Sequence, residues 1–118
     1  MKRGEIWSAA GPGYAGKPRP VVIIQDDRFD ATASVTVCAF TTTLFDAPLF
    51  RLTVQPTATN GLREPSQLMI DKVTTLPKSK IGSKIGYLDP EDLLRLNQAL
   101  IVFLGIAGPA SRSITAAR

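Results

Sequence analysis

A mainly β fold with a C-terminal α-helix is what this sequence predicts: a small, strongly bent sheet or barrel capped by that helix. Three observations predict it. Short runs of β-branched and aromatic residues recur from the N-terminus onward, separated by Gly, Pro, Asn and Asp. Only one segment, near the C-terminus, combines helical periodicity with start and stop signals. The length of 118 residues suits one domain with one modest core.

The segment "RGEIWSA" reads as the first strand, with Ile6 and Trp7 supplying apolar bulk. "AGPGYAGKPRP" follows, too rich in backbone breakers for helix or strand. It reads as a loop, long for a small domain, and long loops lean towards function. "VVIIQ" is the second strand, and its unbroken apolar run predicts burial on both faces. "DDRFDATA" is a polar connection. "SVTVCAFT" alternates into a third strand and "LFRLTVQ" into a fourth. Within "TATNGLREP", Asn60-Gly61 is a strong turn pair. "SQLMID" is a fifth strand, which "KVTTL" continues after a bulge, and "PKSKIGSKIGYL" combines a short strand with a basic loop. The helix occupies "LDPEDLLRLNQALIVFL". Asp89 stands at its N-cap, Pro90 at the first helical position, and Glu91 and Asp92 at the positive end of its dipole. Leu93, Leu96, Leu100 and Phe103 recur at helical spacing, Leu94 and Val102 widen the apolar surface, and Gly105 ends it. A single domain over residues 1–105 is expected, with 106–118 as a flexible tail.

Composition narrows the chemistry. Hydrophobic residues make up 44% and charged residues 20%, as in an ordinary soluble globular chain. The net charge of +4 fits an anionic partner such as nucleic acid, although so mild an excess selects no partner by itself. The one cysteine, Cys38, excludes an intrachain disulfide and lies in an apolar stretch, which reads as a small buried hydrophobe. The absence of histidine excludes Ser-His and Cys-His relays and His/Cys metal clusters, so neither metal nor cofactor is expected. "MKRGEIW" turns polar before any long apolar run, so no signal peptide is expected. The longest apolar candidate, "ALIVFLGIAG", is too short to cross a membrane, and a cytoplasmic protein is the expectation.

Few residues remain as candidates. Arg19 lies between Pro18 and Pro20, which bias its backbone towards extended conformations. A guanidinium held this way suits either phosphate recognition or cover for a barrel rim. Thr41, Thr42 and Thr43 close the third strand, and Thr41 is where a hydroxyl leaves the sheet to meet a ligand. Ser66 opens the fifth strand, where backbone-bonding serines are common. Asp71 and Lys72 are either an exposed charge pair or part of a site. Asp26-Asp27 reads as a solvated turn. Lys78, Lys80 and Lys84 fit a phosphate track or a solvated face.

In order, "RGEIW", a Gly-rich loop, "RPVVII", a strand ending in Thr, "NGL", "PS", "MID" and the "LDPEDLLRLNQAL" helix resemble the MazF/PemK toxin family over roughly Lys2 to Gly105. That resemblance implies a small SH3-like barrel of the CcdB/MazF/Kid type, usually a homodimer. It implies metal-independent cleavage of single-stranded RNA at short motifs by a type II toxin, and a cognate antitoxin that covers the RNA groove. The family's arginine in "RP" falls on Arg19, its threonine after the third strand on Thr41, and its serine before the fifth strand on Ser66. Arg19 and Thr41 are then the catalytic pair, with Lys17, Thr42, Ser66, Asp71, Lys78 and Lys80 as substrate-binding candidates. The chain departs from the family pattern at Lys72, which stands where glutamine is usual, at Thr74 and Met69, which replace basic residues, and in having no histidine. Two other readings fit such a barrel: a CcdB-like gyrase poison and a non-catalytic RNA-binding module. The first normally uses a C-terminal tryptophan, whereas the only tryptophan here is Trp7.

Overall fold

A computed structural model describes residues 1–11 and 17–107. The centre of the glycine-rich loop and most of the expected tail lie outside the described residues. Seven strands, β1 (Glu5–Ala9), β2 (Arg19–Ile23), β3 (Ser34–Thr41), β4 (Arg51–Val54), β5 (Ser66–Met69), β6 (Thr74–Pro77) and β7 (Ile81–Tyr87), precede the helix α1 (Pro90–Phe103). Among the described residues every strand pairing is antiparallel, and the sheet runs β4-β5-β3-β2-β1-β7, with β6 also paired to β3.

β3 is the hub. One of its edges pairs with β2, as in Val21 opposite Ala39. β6 takes the first half of the other edge, with Val35 opposite Leu76, and β5 takes the end, with Phe40 opposite Leu68. "KVTTL" does not continue β5 through a bulge. A 3-10 turn at Ile70–Lys72 separates β6 from β5 and shifts the register along β3. "IGSKIGY" is likewise one seven-residue strand rather than a short strand and a loop. Its small residues let neighbouring backbone come close: a Cβ on Gly86 would sit 2.4 Å from the Thr59 carbonyl oxygen.

Strand alternation divides the interior into two clusters, so both faces of β2 are buried. Ile6, Val22, Cys38, Phe40, Leu68 and Ile70 share one with Leu96 and Leu100 of α1. Burying each of those two leucines contributes about 2 kcal/mol. Ala9, Val21, Ile23, Val37 and Ala39 form the other, with Trp7 packed against it. Leu94, Val102 and Phe103 remain exposed, so the apolar surface of α1 is wider than its core contact. The helix ends as its glycine dictates. Gly105 has φ +70°, and the Ile106 N–H donates back to the Ile101 carbonyl. Its start differs from expectation. Asp89 occupies the N-cap, but its carboxylate caps no helical N–H and instead accepts from the Thr57 hydroxyl at 2.7 Å. That bond ties α1 to the loop between β4 and β5.

β2 also begins earlier than expected, at Arg19 itself rather than at Val21. The residue before a proline favours extended backbone, and proline is tolerated at the first positions of a strand. The cationic elbow is therefore part of the sheet.

Candidate active site

Strand pairing brings the site together. Ala9 of β1 lies opposite Arg19 of β2. The β2–β3 register, continued two residues beyond Val21 and Ala39, sets Arg19 opposite Thr41. Thr41 in turn lies opposite Gln67 of β5. Because side chains alternate, Arg19 and Thr41 share the face of Val21 and Ala39, just past the end of the second core cluster. Arg19 is half-buried and Thr41 buried.

Two adjoining concavities open on this row. One, of about 270 Å³, is lined by Lys17, Arg19, Thr41, Thr42 and Ser66. The other, of about 420 Å³, shares Arg19, Thr42 and Ser66 and adds Ser8, Arg63 and Glu64. Five of the eight residues proposed from sequence thus meet around one arginine. The Thr41 hydroxyl oxygen accepts the Thr43 N–H at 3.2 Å, which leaves its proton available for donation. Ser66 donates to the Glu64 carbonyl at 3.0 Å, the local backbone bond expected at a loop-to-strand junction.

Asp71, Lys78 and Lys80 line neither concavity. Asp71 sits in the 3-10 turn after β5, gripped by Arg51 through bonds of 2.8 and 3.2 Å. The Arg51 guanidinium holds its carboxyl below the usual range against the opposing effect of burial. Lys78 contacts the carbonyl and carboxylate of Asp30. It follows β6 at the far end of β3 from Thr41. Lys80 is exposed, and its carbonyl accepts from the Ala10 N–H beside the end of β1. Cys38 is fully buried, which pushes its thiol up to about 12. Among the described residues, no three His, Cys, Asp or Glu side chains gather in a way that would hold a metal ion. None of their helices is long and apolar enough to cross a membrane.

Several residues beside the site escaped sequence reading. Gln67 is buried, and its amide clasps the loop after β3: it accepts the Phe45 N–H at 3.0 Å and donates to the Phe45 carbonyl at 2.8 Å and the Thr53 hydroxyl at 3.2 Å. An amide inside the apolar run "SQLMI" was the signal for it, since a buried polar side chain needs partners. Arg51, Arg63 and Glu64 gave no such signal, being charged residues next to loops.

Comparison with known proteins identifies the family. The family profile of PemK-like, MazF-like toxins of type II toxin–antitoxin systems matches residues 2–104. A probable endoribonuclease MazF of Mycolicibacterium smegmatis is 60% identical over 109 residues, covering 92% of this chain and all of that protein. Endoribonuclease MazF9 of Mycobacterium tuberculosis is 27% identical, covering 90% of this chain and 98% of that protein. Among solved structures, a mycobacterial endoribonuclease in complex with its cognate antitoxin superposes with a TM-score of 0.75 at 25% identity, covering 92% of this chain and 99% of that one. The Mycobacterium tuberculosis toxin MazF-mt6 gives 0.73 at 29% identity, covering 86% and 96%. With a family match running from the first strand through the helix, this chain belongs to the PemK-like, MazF-like toxins of type II toxin–antitoxin systems.

Proposed function

We propose that this toxin cleaves single-stranded RNA in the cytoplasm, at short sequence motifs and without a metal, and so arrests translation and growth. The observation that supports this is that Arg19 and Thr41 line one concavity with Lys17 and Thr42, and that Arg19 and Thr42 also line the concavity adjoining it. RNA carries its own nucleophile. The ribose 2′-oxygen attacks the adjacent phosphorus, the new P–O2′ bond forms as the P–O5′ bond breaks, and the products are a 2′,3′-cyclic phosphate and a 5′-hydroxyl. Solvent water takes the 2′-hydroxyl proton as the attack proceeds and returns one to the departing 5′-oxygen, so no net proton is gained or lost.

Arg19 neutralises charge growing on the non-bridging oxygens with its guanidinium fork, and Thr41 donates one hydrogen bond to the same phosphoryl group. Lys17 draws the strand in by charge. A guanidinium offers five N–H donors and no acceptor, so Arg19 acts on the phosphoryl group as a hydrogen-bond donor. With no histidine in the chain, the rate rests on positioning and electrostatics, and a slow enzyme is expected. A cognate antitoxin that covers the RNA groove is the expected partner, in keeping with the antitoxin-bound mycobacterial relative. A homodimer is the expected assembly, and the exposed Leu94, Val102 and Phe103 of α1 give it apolar surface to bury.

Purified Arg19→Ala protein incubated with single-stranded RNA is the test. Loss of new 5′-hydroxyl ends with an unchanged fold is expected, and EDTA is expected to leave wild-type cleavage intact. A folded Arg19→Ala variant cutting at the wild-type rate, or a chelator-sensitive reaction, refutes the assignment.

A further inference from the structure

The loop between β4 and β5 presents Arg63 and Glu64 to the 420 Å³ concavity beside Arg19. A volume of that size lies within the range that holds small organic ligands, about 300–1,000 Å³. Both side chains are exposed, and among the described residues neither is engaged in an ion pair or a side-chain hydrogen bond.

The backbone that carries them is, by contrast, pinned on both sides. Asn60 has no exposed surface. Its Oδ1 accepts from the Thr57 and Leu62 N–H groups at 2.9 and 3.0 Å, and its Nδ2 donates to the Gln55 carbonyl at 2.9 Å. Gly61 adopts φ +68° against the Ile85 backbone, and Leu62 is anchored in the core. On the far side, the Ser66 hydroxyl holds the Glu64 carbonyl. Two uncommitted charged side chains on a fixed backbone, opening into a cavity, are the arrangement of a recognition element rather than of a solvated loop.

We propose that Arg63 and Glu64 read the base of a nucleotide flanking the scissile phosphate, selecting one with an exocyclic amino group beside a ring acceptor. The assignment rests on the RNA-cleaving function proposed above. If Arg19 holds the scissile phosphate, the neighbouring nucleotide reaches the concavity that Arg19 shares with Arg63 and Glu64. Unstacked bases of single-stranded RNA are read on their polar edges. A carboxylate only accepts and a guanidinium only donates. Adenine and cytosine supply an amino donor for Glu64 beside a ring acceptor for Arg63, whereas the amino group of guanine stands beside its N1–H donor. With Glu64 facing the exocyclic position and Arg63 the ring position, uracil sets its O4 carbonyl against the carboxylate and its N3–H donor against the guanidinium, so both contacts are lost. Ile85 and Pro20 line the same cavity and give the base an apolar wall.

The test maps the 5′ ends produced from a randomised single-stranded RNA pool by wild type, Glu64→Gln and Arg63→Ala, each first checked for a wild-type thermal melt. At one position next to the cut, wild type is expected to disfavour uracil at least about tenfold. Glu64→Gln, whose amide adds a donor, is expected to remove most of that discrimination. Arg63→Ala is expected to broaden the same position. Base ratios in both variants that match wild type at every position overturn this proposal alone. Failure of the wild-type protein to cut the pool overturns the ribonuclease assignment, and this one with it.

Discussion

Replacing Asp71 with alanine strands a guanidinium in the protein. Arg51 is 7% exposed and Asp71 23%, and two hydrogen bonds of 2.8 and 3.2 Å join them. Breaking a fully buried pair costs about 3–5 kcal/mol, whereas an exposed pair is worth at most about 1 kcal/mol. With one partner enclosed and the other reached by solvent, the expected loss lies between these, about 2–3 kcal/mol. Phe45 and Phe50 lie 5.2 and 6.0 Å from the guanidinium carbon, so the cation keeps its packing after the carboxylate is gone. Removing the cation as well relieves the cost: Arg51→Met/Asp71→Ala is expected to be at least about 1 kcal/mol more stable than Asp71→Ala alone. Urea titrations followed by Trp7 fluorescence measure all the variants. The pH dependence has a definite sign. The folded carboxyl of Asp71 is held below its unfolded value, chiefly by Arg51. The contribution is therefore complete above the unfolded pKa, about 3.9, and is lost as pH falls through the lower folded one. Wild type and Asp71→Ala should converge in acid. An Asp71→Ala variant within about 0.5 kcal/mol of wild type at pH 7, or a double variant no more stable than the single, would refute the reasoning. The same variant, folded, is expected to retain RNA cleavage; a large loss of cleavage at unchanged stability would return Asp71 to the substrate-binding candidates.

Other consequences are local. Gly61→Ala combines a left-handed φ of +68° with a Cβ 2.6 Å from the Ile85 carbonyl oxygen, and should cost at least about 2 kcal/mol in urea unfolding; wild-type stability would contradict that geometry. Burial pushes the Glu5 carboxyl up, but the Lys2 N–H, the Lys84 ammonium and the Trp7 indole together bring it down to about 2. Its stabilising effect is thus present above about 4.5 and fades between there and about 2, so an NMR titration midpoint above 4 would refute the cluster. With its thiol pushed up to about 12, mainly by burial, Cys38 should resist a thiol reagent at pH 8 in native protein and react stoichiometrically in denaturant. Rapid labelling of the native state would place it elsewhere.

What was legible in the sequence was whatever is written locally. Strands, turn and helix declare themselves through short runs and end signals, and Pro18 and Pro20 announce an extended arginine. The opposition of Arg19 to Thr41 was nearly legible too, because β2 and β3 are adjacent in the chain and antiparallel pairing then fixes which ends meet. The Arg51–Asp71 pair joins residues on either side of a long loop, and nothing at either position records the other. β6 was misread because β5 and β6 lie along one edge of β3, and the 3-10 turn between them shows its register shift only against a third strand. Lys78 and Lys80 fit a phosphate track or a solvated face equally in the sequence because charge is local, whereas the distance from Lys78 to Thr41 is set by the length of β3.

The β4–β5 loop shows why a site can be conspicuous in sequence while its specificity is not. In "NGLREPS" the residues that give the motif its shape face inward: Asn60 fills its hydrogen bonds with backbone, Gly61 touches Ile85, Leu62 enters the core and Ser66 holds the Glu64 carbonyl. Changing any of them alters the loop before it alters the substrate. The side chains of Arg63 and Glu64 take no part in that scaffold and line the cavity instead. Their identities can therefore change without loss of fold, and they can retune base preference while Arg19 and Thr41, set by strand register, keep their geometry. Exchange of these two residues with those of a relative would, on this argument, carry any difference in preference at one flanking position with it. Exchange of Asn60 or Gly61 would carry only instability.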